Sequence, residues 1–179
     1  MKYKTTYYTI DETQIPGLKD EKVGGFPYWP KEKKRLDEQY VLLAQVHYQK
    51  GMLQFFISQN NLKDGKVIFH ETIEESGQDG TFYHQCDCDL LLVSHPCRLI
   101  PNPKIHDQEA SHLFGQPFYF LSSNPEVDRA HDILLFQFNC LCLGPVCCGT
   151  PSSFLFYISS EDLKKQDFSH VLMIYQGIS

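Results

Sequence analysis

The stretch YVLLAQVHYQKGMLQFFIS, residues 40–58, decides the fold of this chain. It contains two apolar runs, at 40–48 and 52–58, with a short polar break between them. Both runs are rich in aromatic and aliphatic side chains, and their length is typical of strands rather than of helices. Because a tight turn can join two antiparallel strands directly, the stretch predicts a β-hairpin whose turn lies at 48–51.

Apolar runs of similar length occur along the rest of the chain, and they extend the same prediction. Their valine, isoleucine, phenylalanine and tyrosine content favours strands. We expect these further strands at 3–10, 66–73, 89–94, 133–143, 154–159 and 169–175. Between the first of them and residue 40, the prolines, glycines and charged residues of segment 11–39 predict loops.

Helix signals are few. Ser159 or Ser160 precedes two acidic and then two basic residues, the order that a helix dipole prefers, so residues 160–165 predict a short helix. A second short helix is expected at 108–114, before Gly115. The predicted class is α+β, with a predominantly antiparallel β-sheet and a few short helices.

Three short strings occur twice in the same order, 90, 92 and 101 residues apart: GFPY and GQPF, LLAQ and LLFQ, FFISQNNLK and FYISSEDLK. This internal similarity predicts two related β units within one domain that covers 1–179. Gln45 and Gln137 occupy matching places in the two copies. Such buried amides either satisfy backbone groups or line one cleft where the two units meet. The expected boundaries are 22–65 for the first unit, 66–108 for a connecting segment and 109–179 for the second unit.

Length and charge exclude several classes of protein. The 179 residues match one domain, since domains have about 100 to 200 residues. Sixteen basic and twenty-two acidic residues leave no positive field to attract nucleic acid. No run approaches the about 20 apolar residues of a membrane helix. Residues 1–10 lack the apolar core of a secretory signal, so we expect a cytoplasmic protein.

Seven cysteines are many for such a chain, and their odd number prevents complete pairing within it. In a reducing compartment we expect free thiols, which are usually buried as small apolar groups. The alternative is a thiolate site for zinc or copper(I), because two pairs are spaced two residues apart and would each project from one face of a sheet. These pairs are Cys86 with Cys88 and Cys140 with Cys142.

The sequence contains no motif of a known hydrolase or nucleotide-binding site. A Gly-x-Ser-x-Gly turn, a phosphate-binding loop and a His-Glu-x-x-His helix are all missing. The pairs His106–Asp107 and His131–Asp132 fall in loop-like segments, and we interpret them as solvated surface groups. We therefore assign no catalytic residue and no cofactor. Catalysis remains open, and the sequence favours a non-catalytic protein.

Six segments together resemble one known family. They are KVGGFPYWP at 22–30, LLAQV at 42–46, GMLQFFIS at 51–58, HLFGQPF at 112–118, LLFQF at 134–138 and FYISSEDLKKQDFSHVL at 156–172. In this order they resemble the YwqG-like family, a bacterial domain family without an assigned activity. The resemblance implies a cytoplasmic α+β domain dominated by antiparallel sheet. By association with toxin loci, it also implies a role as an immunity protein.

The chain departs from that family at two places. Residues 139–142 read NCLC where relatives tend to carry an Asp-rich stretch, and residues 148–150 read CGT where relatives tend to carry Trp-Gly-Asp. Any carboxylate chemistry of the family is therefore not expected in this chain.

Acidic side chains predict the surface that binds a partner. They occur in two stretches, at 71–79 and 87–89, where they would face a basic protein and accelerate its encounter. A solvated acidic face is the alternative. In the proline-rich loop, Tyr28 and Trp29 would either anchor the contact or fill the core. We expect a non-catalytic binding module, an immunity protein against a toxin encoded nearby, and a small enzyme or metal protein is the alternative. The acidic residues are Glu71, Glu74, Glu75, Asp79, Asp87 and Asp89.

Overall fold

The computed structural model describes residues 3–75, 96–119, 127, 130–140 and 151–177. Within these residues the chain is mostly antiparallel β-sheet with very little helix, as predicted. The only helix in the described part is α1, Ser160–Lys165. The strands are β1 Thr6–Asp11, β2 Lys22–Val23, β3 Tyr40–Tyr48, β4 Gly51–Ser58, β5 Gly65–His70, β6 Cys97–Pro101, β7 His112–Leu113, β8 Ile133–Cys140, β9 Ser152–Ile158 and β10 Leu172–Gly177.

The chain divides into two compact units. The first, which we call the N-unit, consists of residues 10–99. Its strands are hydrogen-bonded in the order β6, β2, β3, β4, β5. The other, the C-unit, consists of residues 1–9 and 100–179. Its strands follow the order β1, β7, β8, β9, β10.

The hairpin predicted at 40–58 is confirmed. Strands β3 and β4 pair along their whole length, and Tyr48 lies opposite Gly51 across a two-residue turn. Gln49 in this turn has a φ of 55°, in the left-handed region. A Cβ on Gly51 would lie 1.8 Å from the carbonyl oxygen of His70, so only glycine allows β5 to approach the turn this closely.

The helix predicted at 160–165 is also confirmed. The side chain of Ser159 accepts a hydrogen bond from the backbone N–H of Asp162 at 3.0 Å and so caps the first turn. Acidic residues lie in the first turn and basic residues in the last, which suits the helix dipole. The helix ends at Gln166, whose φ of 57° is left-handed, and Leu163 is its buried residue.

The helix predicted at 108–114 is wrong. The carboxylate of Asp107 accepts a hydrogen bond from the N–H of Glu109 at 2.9 Å, which stabilises a turn in place of a first helical turn. His112 and Leu113 then form β7, which pairs with both β1 and β8. The other predicted strands agree with the observed ones to within a few residues. The strand predicted at 89–94 and the end of the one predicted at 133–143 lie outside the described residues.

The core of each unit lies around a central strand that is buried along its whole length. All eight residues of β4 are buried in the N-unit, and all seven residues of β9 are buried in the C-unit. Burial on both faces explains why these segments read as continuous apolar runs rather than as alternating patterns. Each fully buried phenylalanine on them contributes about 1.5 to 3 kcal/mol to stability.

The two units contain matching irregularities. The register shifts between Leu42 and Ala44 in β3, and between Leu134 and Phe136 in β8. In the loop ahead of β3, the N–H of Gly24 donates to Leu43 O at 2.9 Å. Ahead of β8, the N–H of Phe114 donates to Leu135 O at 3.0 Å. Both donors have left-handed φ angles, 67° at the glycine and 57° at the phenylalanine.

Candidate functional site

A buried polar network in the N-unit begins at Gln45, whose side chain is fully buried in β3. Its amide nitrogen donates to the carbonyl oxygens of Leu18 and Asp20, each at 2.8 Å. Its amide oxygen accepts from the backbone N–H of Tyr28 and from Nε2 of Gln54, each at 3.1 Å. The amide of Gln45 therefore fastens two loops to the sheet and has no hydrogen-bonding capacity left.

Gln137 fastens a loop in the C-unit in a similar way. Its amide oxygen accepts from the N–H of Phe118 at 2.9 Å, and its amide nitrogen donates to Phe118 O at 3.1 Å and to Oδ1 of Asn139 at 2.9 Å. Both glutamines thus satisfy backbone groups inside their own unit, as one of the two sequence interpretations predicted. The other interpretation, a cleft lined by both amides, stays a prediction.

Lys22 and His112 are buried cation-forming residues at matching places in β2 and β7. Nζ of Lys22 donates to two backbone oxygens, those of Gly17 and Leu18, at 3.1 and 3.3 Å. The two ring nitrogens of His112 lie 2.7 and 3.1 Å from the oxygens of Ala110 and Gln116. Burial lowers the pKa of Lys22 to about 8 and lowers the pKa of His112 below its ordinary value.

His70, at the end of β5, extends the network of the N-unit. Nε2 of Gln54 donates to Tyr28 O at 2.7 Å, so the other atom of that amide, Oε1, is an acceptor. It lies 2.8 Å from Nε2 of His70, which therefore carries the ring proton. Nδ1 is left as an acceptor, 3.4 Å from Nζ of Lys33. Burial, together with the charge of Lys33, lowers the pKa of His70 to about 3.

Tyr28 and Trp29 lie in the core, with exposures of 0% and 3%. Each ring meets the ring of His70 edge to face, with centroids 5.4 Å apart. Nε1 of Trp29 donates to Lys33 O at 2.8 Å. The structure therefore corrects the expectation that these two residues anchor a partner, because neither has aromatic surface to offer one. Their burial agrees with the alternative that they fill the core.

The hydroxyl of Tyr28 connects this core to the acidic segment, which we define as residues 71–75. It accepts a hydrogen bond from the backbone N–H of Glu74 at 2.8 Å. One residue further on, Nζ of Lys19 donates to Glu75 O at 2.9 Å. These two bonds hold the backbone of the segment, while Glu71, Glu74 and Glu75 themselves are exposed. The other predicted partner-binding residues, Asp79, Asp87 and Asp89, lie outside the described residues.

The predictions for the two described cysteines have different outcomes. Cys97 is outside any disulfide and is buried, and burial together with Glu12 raises the pKa of its thiol. Cys140 is disulfide-bonded, so the expectation of a free thiol there is wrong. A sulfur in a disulfide is no thiolate ligand, which removes Cys140 from the alternative metal site as it stands in this structure. The remaining members of that set, Cys86, Cys88 and Cys142, lie outside the described residues.

The described residues contain one group with metal-ligating geometry, formed by Asp162, Asp167 and His170 in the C-unit. This group was not predicted from the sequence, because its spacing, Asp-x4-Asp-x2-His across the end of a short helix, matches no common metal-binding motif. The pair His131–Asp132 lies beside it. Oδ1 of Asp132 accepts from the N–H of Ser160 at 2.8 Å, so this pair helps to fix α1.

No helix among the described residues is long and apolar enough to span a membrane. Neither a scan against models of known protein families nor a search of curated proteins finds a match for this chain.

Proposed function

We propose that this chain is a non-catalytic protein-binding module that neutralises a basic toxin, in the manner of an immunity protein. The observation that carries the proposal is the acidic segment, whose side chains are exposed while its backbone is fixed to a buried core. The partner would be a basic protein, such as a nuclease toxin encoded nearby. Nuclease active sites are basic because they bind phosphates, so a rigid acidic loop can cover them.

The rigidity of the acidic segment supports binding as much as its charge does. Ordering a loop on binding opposes affinity, and a loop that is already ordered avoids that loss. Here the order is supplied through a chain of buried groups from Gln45 and Gln54 to the backbone of Tyr28, and from the hydroxyl of Tyr28 to Glu74. The carboxylates are free to form ion pairs across an interface and to steer a basic partner toward it.

The proposal includes the finer architecture, an α+β domain of two related β units, similar to the YwqG-like family and located in the cytoplasm. Each unit carries a register shift at the same place in its Leu-Leu-x-Gln strand. In each unit a residue with a left-handed φ donates its backbone N–H to that strand. The buried glutamine of the strand accepts a hydrogen bond from the aromatic residue of the Pro-aromatic turn. Shared irregularities of this kind support common ancestry better than shared regular structure does, because regular strands recur in unrelated proteins.

The test uses the protein encoded by the gene beside that of this chain, which the proposal expects to be basic. We expect a one-to-one complex whose association rate falls as salt rises. A triple variant, E71K/E74K/E75K, should lower the association rate at low salt about tenfold or more, since steering of this kind accelerates encounter by about 10 to 1,000-fold.

The matched control is E12K/E38K/E109K, which changes the net charge equally at exposed positions that are not part of the acidic segment. We expect it to change the association rate less than threefold. Equal losses in the two triple variants would show that only net charge matters. An equally tight and equally salt-sensitive complex with the first variant would overturn the proposal, and so would the lack of any complex.

A further inference from the structure

Three side chains with metal-ligating atoms converge where α1 ends and the chain turns toward β10. Asp162 lies on the helix, Asp167 follows its left-handed cap, and His170 lies in the turn. Nδ1 of His170 is 3.8 Å from Oδ2 of Asp162 and 3.9 Å from Oδ2 of Asp167. The three ligand atoms all lie within 4.8 Å of one another.

These separations are too long for hydrogen bonds, which require about 3.2 Å or less. They are close to the spacing of two ligands around one cation. With bonds of about 2.0 Å and tetrahedral angles, neighbouring ligand atoms on zinc are about 3.3 Å apart. Around an ion, each carboxylate oxygen would move about half an ångström closer to Nδ1 of His170, and the two carboxylate oxygens would move up to about 1.5 Å closer to each other, which rotation of the side chains allows.

Local hydrogen bonds hold the carboxylate of Asp167 in place and tie its backbone to that of Asp162. Oδ1 of Asp167 accepts from the N–H of Ser169 at 3.0 Å and from its hydroxyl at 2.5 Å, which leaves Oδ2 directed at His170. The N–H of Asp167 donates to Asp162 O at 2.9 Å, so the two aspartates are tied to each other through the helix cap.

A neighbouring histidine provides a second and independent observation. Nε2 of His131 lies 2.9 Å from His170 O, and because a carbonyl oxygen only accepts, Nε2 carries the proton. Nδ1 of His131 is buried without a hydrogen-bond partner. Buried unpaired polar atoms are rare and costly, so each one calls for a role. His131 lines a cavity of ≈ 480 Å³ together with Asp132, Glu161, Asp162 and His170.

We propose that Asp162, Asp167 and His170 bind a divalent transition-metal cation of the zinc class beside this cavity. An imidazole nitrogen with two carboxylates suits zinc and its neighbours, whereas calcium and magnesium prefer oxygen ligands alone. Three protein ligands leave one tetrahedral position for water or for a group of a partner. This site shares no residue with the acidic segment, so the two proposals can be tested independently.

The test titrates the full-length chain with Zn²⁺ alone, followed by calorimetry, and with ¹¹³Cd²⁺, followed by cadmium NMR. The cadmium shift separates a nitrogen and oxygen site from a thiolate site, which matters in a chain with seven cysteines. We expect one equivalent at a nitrogen and oxygen site. The variants D167N and H170Q should each weaken binding at least tenfold, and the signals of the His170 ring should shift when the metal is added.

The matched control is E161Q, which removes a carboxylate from the same helix and the same cavity lining but not from the ligand set. It should change the affinity less than twofold. Thermal melts of each variant without metal establish that α1 is intact. Equal weakening by E161Q and D167N would overturn the proposal. Cadmium bound only to thiolates, or zinc binding that H170Q leaves unchanged, would overturn it as well.

Discussion

Lowering the pH from 7 to 5 should destabilise this protein through His70. The pKa of His70 is about 3 in the folded chain, against an ordinary value of 6.5 that the unfolded chain regains. Below pH 6.5 the unfolded state therefore binds a proton that the folded state does not, and stability falls as the pH falls. By linkage, the loss from this one residue is about 2 kcal/mol at pH 5. It is about 4 kcal/mol at pH 3 and approaches its limit of about 5 kcal/mol only below that pH, since each pKa unit corresponds to about 1.36 kcal/mol.

The physical reason is the position of Nδ1. A proton there would replace the hydrogen bond from Lys33 with two positive charges 3.4 Å apart, in a pocket closed by aromatic rings. Urea unfolding at pH 7 and pH 5 measures the loss in the wild type and in H70Q. The glutamine amide of that variant can still donate to Gln54 but cannot titrate.

We expect the wild type to lose about 2 kcal/mol more than H70Q over this interval. Other buried histidines titrate equally in both proteins, so the difference isolates His70. If H70Q is too unstable to measure, NMR titration of the His70 ring in the wild type decides the matter. A measured pKa near 6.5, or equal losses in the two proteins, would refute the reasoning.

Two further predictions follow from the core and the cysteines. The variant Y28F removes the acceptor for the N–H of Glu74, so amide exchange at Glu74 should accelerate about tenfold, which corresponds to a hydrogen bond of about 1.4 kcal/mol. The control Y40F, which loses a hydroxyl bond to Asp64 instead, should leave exchange at Glu74 unchanged, and the same acceleration there would contradict the assignment. If the chain is cytoplasmic, as proposed above, the reducing compartment opens the disulfide of Cys140. Cys140 should then be alkylated as readily as Cys97 after intact cells are quenched with acid and the protein is unfolded without reductant. Mass spectrometry reads the result, and protection of Cys140 alone would contradict the cytoplasmic location.

The elements that the sequence predicts correctly are those whose signals are local. The hairpin at 40–58 combines two apolar runs with a two-residue break, and both strands formed as expected. The helix at 160–165 combines a serine cap with charges ordered along the dipole. The helix expected at 108–114 had no comparable signal in the sequence. It does not form, because the side chain of the adjacent Asp107 stabilises a turn instead.

The buried network was beyond sequence analysis because its bonds join residues far apart in the chain. His70 contacts Gln54 across 16 residues and Lys33 across 37, and the acidic segment is held by Tyr28 from 46 residues away. The aromatic residues of the proline-rich loop fit a surface or a core equally well until these partners are known. Apolar periodicity identifies strands, but it carries no information about which loop folds back over which polar group.

Phe114, whose backbone φ angle is left-handed, packs against the N-terminal segment of the chain. Glycine is the residue best suited to that backbone conformation, as at Gly24, and a bulky side chain there costs about 1 kcal/mol or more. The ring of Phe114 stacks on the ring of Tyr3, with centroids 4.8 Å apart and planes 19° from parallel. The next residue, Gly115, approaches the side chain of Thr5 so closely that a Cβ would lie 2.9 Å from it. The residue with this unfavourable torsion thus packs against the N-terminal segment, and its conformation contributes to the position of Tyr3 beside the sheet.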